Sequence, residues 1–229
     1  MKKTILALLA TMLLAAAGNA NAALFISQVY GGGGATSTNP LYTNDWVELY
    51  NNGSTAINLT GYSLQYAAAT NTTSFGSSNS QALSGTIAAN SYFLVEEGRG
   101  SGLTGTAADP SYNLTGGNLN LSATAGKIAL FSTTATGAST TARSANLVDL
   151  VGYGSTANYS FYAKTADLSL TTAAIRNSFT STAAGTTDTF SVGTPVLNHT
   201  TPTPIPAAAW LLGSGLMGLA GLRRKQNQA

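Results

Sequence analysis

The sequence predicts an all-β protein, a sandwich of two packed sheets built from seven to nine short strands. Three observations support this fold class. In the best-patterned runs the side chains alternate with period two and are rich in β-forming residues, as in a strand. Clusters of Gly, Asn, Ser and Thr separate those runs and supply turns. Between the two ends of the chain, no stretch of ten or more residues has a convincing helical pattern.

The clearest strands lie between residues 44 and 66, NDWVELYNNGSTAINLTGYSLQY. Trp46, Glu48 and Tyr50 fall on one face of the first strand, and the residues between them fall on the other. The turn-forming residues 51–54 then interrupt the pattern, and two further short extended segments follow before residue 67. We therefore predict a compact antiparallel unit here, with which later strands can pair.

The remaining strands are shorter or less regular. Residues 24–30 form a predicted first strand, which the glycines at 31–34 end. Further strands are predicted at 82–87, 91–96, 119–121, 127–131 and 147–153. From residue 157 to residue 193 the pattern is weak.

Both ends of the chain resemble targeting signals. Residues 1–22 combine two lysines, an apolar run and a small-residue cleavage site, so we predict a signal peptide for the Sec export machinery and a mature domain at 23–198. A Thr/Pro linker at 199–206 precedes a charge-free segment at 207–222, which we predict to cross the inner membrane. The basic tail 223–229 then stays in the cytoplasm. Its membrane stop consists of Arg223, Arg224 and Lys225.

The charge of the mature region argues against nucleic acid as the main partner. Half of the ten basic residues lie in the two end segments, while all eight acidic residues lie between them, so five basic and eight acidic residues give the domain a net charge of −3. Its Lys and Arg residues are scattered rather than clustered, unlike a phosphate-binding surface. The chain has no cysteine, which excludes disulfides and thiolate chemistry.

The residues give little support for catalysis, and we predict that the protein is not an enzyme. The only histidine, His199, lies in the linker, which cannot orient it as a general base. Glu96 and Glu97 are adjacent, so on a strand they point to opposite faces and cannot act as a pair.

Two weaker binding predictions remain. Asp45 and Glu48, with loop carbonyls, could form a calcium site; alternatively, Glu48 accepts hydrogen bonds from a loop or pairs with a cation such as Arg176. Tyr159, Phe161 and Tyr162 lie in the weakly patterned part, where exposed rings could stack on matrix polysaccharide or contact surface proteins. Core packing is the alternative for each ring.

Several segments together resemble the bacterial lamin-tail domain. They are FISQVYGG at 25–32, the block at 44–66, LSGTI at 83–87, YFLV at 92–95, LSATAGKIAL at 121–130 and VDLVGYG at 148–154. The resemblance implies an immunoglobulin-like β-sandwich. It also implies that such domains accompany secreted nucleases and phosphatases or stand alone in exported proteins. Many carry an acidic segment near the end of the domain, but residues 185–190 hold one acid only.

The C-terminal end resembles the PEP-CTERM class of sorting signals, in the variant that reads Val-Pro-Leu-Pro-Ala. The matching residues are Pro204, Ile205, Pro206 and Ala207. Thr203 stands where that variant has Val. The resemblance implies that an exosortase-like protease removes the tail and releases the domain; the alternative is a retained anchor that leaves the domain facing the periplasm.

These observations predict an exported, non-catalytic module at the cell surface or in the extracellular matrix of a Gram-negative bacterium, with an adhesive, structural or ligand-binding role. The alternative is an accessory binding module that works beside a separately encoded secreted nuclease or phosphatase. That alternative rests only on analogy with the domains that accompany other lamin-tail domains.

Overall fold

The computed structural model of the chain describes residues 24–33, 40–99, 110–180 and 188–197. The chain divides into two units, residues 1–199 and 200–229, and all the described residues belong to the first. The strands are β1 (Leu24–Tyr30), β2 (Asn44–Asn51), β3 (Ile57–Asn58), β4 (Ser63–Ala68), β5 (Ser80–Ala82), β6 (Thr86–Ile87), β7 (Ser91–Arg99), β8 (Gly126–Phe131), β9 (Leu147–Tyr153), β10 (Ala173–Arg176) and β11 (Phe190–Gly193). A single 3₁₀ turn, Ser77–Asn79, precedes β5 in the described chain.

Two antiparallel sheets form a sandwich. The first sheet has the strand order β11-β10-β1-β2-β7, and the second has the order β5-β4-β8-β9. The short strands β3 and β6 pair with each other in a separate ribbon. This arrangement brings β1 from the start of the domain beside β10 and β2, so the first sheet joins segments that are far apart in the sequence.

The core lies between the two sheets. Val29, Val47 and Val95 are cross-strand neighbours on β1, β2 and β7, and all are fully buried. In the second sheet Leu64 lies opposite Leu130, and both are also fully buried. Each such side chain contributes roughly 1.5–3 kcal/mol when it leaves water. Since the chain has no cysteine, this packing and the strand pairing hold the sandwich together.

A second apolar cluster covers the other face of the first sheet. It is formed by Tyr30, Trp46, Leu94 and Ala173, with Leu41, Tyr42, Tyr112, Ile175 and Leu197 packed against it. The rings of Tyr30 and Trp46 stack with their centroids 5.5 Å apart. Because this face is covered as well, the central strand β2 is buried on both sides, including its polar residues.

The predicted all-β sandwich is confirmed, and the strand predicted around Trp46 is β2. Three predicted elements differ. Residues 119–121 form an extended loop rather than a strand, the predicted strand at 82–87 is divided between β5 and β6, and the weakly patterned part contains β10 and β11. The loop and the late strands owe their conformation to partners elsewhere in the chain, which local patterns do not report.

The predicted signal segment 1–22 and the predicted membrane segment 207–222 lie outside the described residues. In the part of the chain that the structure describes, no helix is long and apolar enough to span a bilayer.

Candidate functional site

Most of the charged side chains that the structure describes lie inside the protein. The buried ones are Asp45, Glu48, Glu97, Lys127, Asp149, Arg176 and Asp188. In contrast, Arg143, Lys164 and Asp167 are exposed. A buried charge is costly unless it is paired or hydrogen-bonded, so each of these groups needs partners.

Arg176, the last residue of β10, is the centre of the largest charged group. Its guanidinium lies 2.6 Å from Asp149 on β9 and 2.8 Å from Asp188, and all three side chains are fully buried. The Nε of Arg176 also donates to the carbonyl oxygen of Ile26 on β1, at 2.8 Å. The Arg176 group therefore connects β10 to strands of both sheets and to the segment before β11.

Aromatic rings and further hydrogen bonds surround this group. The Arg176 guanidinium carbon lies 4.4 Å from the centre of the Tyr162 ring, and the Tyr162 hydroxyl donates to Asp149 at 2.5 Å. Burial raises the pKa of Asp149, and the charge of Arg176 opposes that rise. Burial and the charge of Asp149 likewise raise the pKa of Tyr162. The arrangement keeps Tyr162 as a hydrogen-bond donor, which is a structural role.

Lys127 on β8 forms a second buried group. Its Nζ donates to the carbonyl oxygen of Thr140 at 3.1 Å, to Oδ1 of Asn158 at 2.6 Å and to the carbonyl oxygen of Asn71. Burial lowers the pKa of Lys127. All three of these acceptors are neutral oxygens on loops, so the lysine ties three loops to the second sheet.

Asp45 and Glu97 form a third group at one end of the first sheet. The β2–β7 register places Trp46 opposite Glu96 and Asn44 opposite Arg99, so a bulge sets Asp45 across from Glu97 and its neighbour. Both carboxylates are fully buried. Burial raises the pKa of Glu97 to about 8, and the charge of Asp45 adds to the rise.

The two residues of the predicted calcium site, Asp45 and Glu48, have different hydrogen-bond partners in the structure. Asp45 accepts a hydrogen bond from the amide of Leu121 at 2.8 Å. Glu48 accepts from Ser27 Oγ at 3.1 Å and from Gln28 Nε2 at 2.8 Å, both on β1. In the described ranges, no three His, Asp or Glu side chains are grouped as metal ligands.

The alternative prediction for Glu48 is wrong in one respect, its pairing with Arg176. Two of its hydrogen-bond donors, Ser27 and Gln28, belong to the neighbouring strand β1, and Arg176 pairs with Asp149 and Asp188. No local pattern indicates that pairing, because Arg176 and Asp149 are 27 residues apart and lie on strands of different sheets.

The expected exposure of the aromatic stretch is wrong for two of its three rings. Phe161 is 1% exposed and Tyr162 is 6% exposed, and both belong to the core between the sheets. Tyr159 is partly buried and packs against that core. The segment runs beside β9, where the amide of Phe161 donates to the carbonyl oxygen of Leu150. Contact with β9 thus buries these rings, although their own sequence pattern is weak.

A small cavity of about 240 Å³ opens beside the end of β8. It is lined by Phe131, Thr133, Ala135, Thr136, Gly137, Ala138, Ser144, Ala145 and Asn146. The buried Oγ of Ser144 has no hydrogen-bond partner. The lining contains no charged residue, so the cavity suits a neutral polar group.

The predicted sorting residues, Pro204 to Ala207, and the membrane stop, Arg223 to Lys225, lie outside the described residues. The structure instead reveals the three buried charged groups. Sequence reasoning missed the roles of Lys127, Asp149 and Asp188. A single charge within an apolar run, as at Lys127 and Asp149, indicates burial but not the partner, and Asp188 lies among threonines without even that signal.

Comparison with known proteins gives one family. The family model described as "Lamin Tail Domain" matches residues 17–155, more than half of the chain. The match includes β1 to β9 but not β10 and β11, which complete the first sheet. Searches of the curated proteins and of the solved structures found no significant match.

Proposed function

The chain belongs to the lamin-tail domain family, and on this basis we propose that it is an exported, non-catalytic β-sandwich module. An exosortase-like protease sorts it to the cell surface or the extracellular matrix, where it has an adhesive or structural role. The fold and the family support a binding or structural module; the export, the sorting and the adhesion are our inference from the two ends and the surface.

The observation that carries the proposal is the inward placement of charge. The buried charged groups hold strands and loops together, while the exposed positions of the described domain are mainly Ser, Thr, Asn, Gly and Ala. Hydroxyl and amide groups donate and accept hydrogen bonds without bringing a charge. Such a surface suits neutral partners such as matrix polysaccharide, and so does the uncharged cavity beside Phe131.

The sorting step rests on the order of the C-terminal segments. A proline-containing motif at 204–207, an uncharged segment at 207–222 and a basic stop at 223–225 follow one another without interruption. The basic residues hold the C-terminus in the cytoplasm while the domain is exported. Cleavage near the motif would then release the domain from the inner membrane.

Intact mass and location of the native protein in its own cells test this proposal. We expect a species in the matrix fraction that lacks residues 1–22 and the segment after the motif. The double variant P204A/P206A should accumulate in the inner membrane, whereas P202A, which changes a proline outside the motif in the same linker, should be released. A wild-type tail that remains in the inner membrane would contradict the proposal.

The adhesive role needs a separate measurement. The released protein should be retained on purified matrix polysaccharide from the same cells, and high salt should leave that retention unchanged because the proposed contacts are uncharged. Loss of retention at high salt would show charge-based binding and refute the neutral-surface argument. No retention at any salt concentration would refute the polysaccharide as partner.

A further inference from the structure

The small cavity beside the end of β8 lies between two segments of the chain. One wall is the loop 133–138, and the other is the segment 144–146. Phe131, which is 1% exposed, closes the inner end. The amide of Ser132 donates to the carbonyl oxygen of Asn146 at 2.9 Å, so the second wall is fixed to the chain directly after β8.

The loop 133–138 is fixed as well. From β4, the buried Ser63 Oγ donates to the carbonyl oxygen of Thr133 at 2.6 Å, and the buried Gln65 Nε2 donates to that of Ala135 at 2.9 Å. The far end of the loop pairs with the backbone of Phe75 through two further hydrogen bonds. Because both walls are held in place, a ligand would enter a preformed cavity and would not have to order a loop.

The hydroxyl of Ser144 is the decisive observation. Its Oγ is buried, lines the cavity and has no hydrogen-bond partner within the described ranges. A serine hydroxyl can donate one hydrogen bond and accept two. A buried polar group that stays unpaired is costly, and native proteins keep few of them. A ligand in the cavity would supply the partner that this hydroxyl lacks.

The lining selects a neutral ligand that is both polar and apolar. No charged residue of the described chain lines the cavity, and the guanidinium carbon of the adjacent Arg143 lies 5.0 Å from the centre of the Phe161 ring. Alanine methyl groups and Phe131 provide apolar surface, while threonine hydroxyls and the amide of Asn146 provide hydrogen-bonding groups. A charged ligand would find no counter-ion there, and a purely apolar one would leave the Ser144 hydroxyl unpaired.

We propose that this cavity binds one neutral sugar ring, a terminal or side-branch unit of a polysaccharide. A sugar ring has apolar C–H faces and a rim of hydroxyl groups, which matches the mixed lining. The volume of about 240 Å³ is below the roughly 300–1,000 Å³ of pockets that enclose drug-sized ligands, so it suits a single ring. The inference rests on the proposed function for the source of the sugar, and it names the site of recognition.

Amide NMR spectra of the full-length chain, in a detergent without a sugar head group, test the site. The probes are the neutral monosaccharides that acid hydrolysis releases from the purified matrix polysaccharide, with glucuronate as the charged comparison. We expect saturable shifts of the amide signals of residues 133–138 and 144–146, in the millimolar range because the ligand is small. Glucuronate should shift these signals less, because its carboxylate has no partner in the lining.

Two variants change the cavity itself. A145W places a large side chain at an exposed position of the second wall and should abolish the sugar-dependent shifts, whereas A56W, at an exposed position outside the lining, should keep them. S144A removes the unpaired hydroxyl and should weaken binding about two- to tenfold, the value of one hydrogen bond. Its control is S84A, since Ser84 is exposed and lies outside the lining.

The outcomes separate this site from the proposed adhesive role. Sugar-dependent shifts that A145W abolishes would support the site even if the wild-type chain is not retained on intact polysaccharide, a result that would refute the adhesive role alone. Retention without shifts of the lining amides would overturn the site and leave the adhesive role standing. Unchanged binding in A145W, or equal shifts with glucuronate, would also overturn it. If A145W does not fold, the position of the wild-type shifts and the affinity of S144A decide the question.

Discussion

Replacement of Arg176 by Met is the most informative perturbation of this fold. Methionine keeps an unbranched apolar side chain among the rings of Phe25, Tyr162 and Phe190 but removes the positive charge. The variant therefore separates the pairing of Arg176 from its packing. Arg176→Lys is the complementary variant, because it keeps the charge and loses the planar fork that contacts two carboxylates.

The expected loss follows from the partners that remain. Asp149 still accepts hydrogen bonds from the Tyr162 hydroxyl and from the amide of Ile26, and Asp188 still accepts from Ser178 and Thr180. Neither carboxylate would retain its cation. Removing one partner of a buried ion pair costs about 3–5 kcal/mol. Since hydrogen bonds partly stabilise both charges, we expect R176M to lower the free energy of unfolding by about 3–4 kcal/mol and R176K by about half as much.

Urea unfolding at neutral pH, followed by tryptophan fluorescence and fitted for midpoint and slope, measures this loss. The control is R143M, since Arg143 is exposed and its guanidinium carbon lies 5.0 Å from the Phe161 ring centre. An exposed cation–π contact is worth about 0.5–1 kcal/mol, so this control should stay within that range. An unchanged slope would show that the unfolded state is the same in each variant.

The pH dependence distinguishes lost charge pairing from lost packing. Burial raises the pKa of Asp149 and the charge of Arg176 opposes that rise, so without Arg176 the folded-state pKa of Asp149 should lie further above its unfolded value. Stability is then lost as pH rises through that interval, so the deficit of R176M should shrink toward acid pH. A deficit below about 1 kcal/mol at neutral pH, or a deficit that does not change with pH, would refute the reasoning.

Three further predictions concern the other buried groups. Burial raises the pKa of Glu97 from 4.5 to about 8, so the stability of the folded state is lost as pH rises through that window. Urea unfolding should therefore show a smaller loss of stability between about pH 5 and about pH 8 for E97Q than for wild type, and an equal loss would contradict the shift. K127M should lower the free energy of unfolding by about 2–3 kcal/mol and speed amide exchange in the loops that Lys127 contacts, whereas K164M, at an exposed position, should change it by less than about 0.5 kcal/mol. Equal effects would refute the role of Lys127 in holding those loops to the sheet. G117A should lower Tm, because its Cβ would lie 1.8 Å from a carbonyl oxygen of β7, and should lower the free energy of unfolding by about 1–3 kcal/mol or more. The control G76A has open space around its Cβ and should not lower Tm, and an unchanged Tm for G117A would show that the loop can move away.

The central strand could be predicted because its signal is local. The period-two alternation around Trp46 depends only on strand geometry, and the turn after it depends only on residues that tolerate tight turns. Residues 119–121 show the limit of that signal. Leu119 and Leu121 alternate with polar residues as in a strand, and both are buried, yet the amides of both donate to side-chain carboxylates. An extended loop and a strand share the same period, so the pattern could not distinguish them.

The charged groups could not be predicted because their partners are distant in the sequence. The carbonyl of Ile26 and the guanidinium of Arg176 are 150 residues apart, and they meet only after β10 has paired with β1. Tyr162, whose segment has no clear period, is likewise held by partners on other strands, the carboxylate of Asp149 and the guanidinium of Arg176. Asp45 lies within the predicted central strand, but the bulge that sets it opposite Glu97 depends on the register of β7, which local patterns do not report.

The buried charges therefore explain the neutral surface in physical terms. A buried ion pair adds little net stability compared with apolar residues of the same size, but an unmatched partner is costly. Such groups penalise wrong registers: a one-residue slip of β10 would place Arg176 away from Asp149 and leave both charges buried and unpaired. In a chain with no cysteine, this penalty can fix the position of late strands that carry weak patterns of their own. Residues that in many proteins would provide surface charge are thus used inside, and recognition at the surface is left to hydroxyl and amide groups.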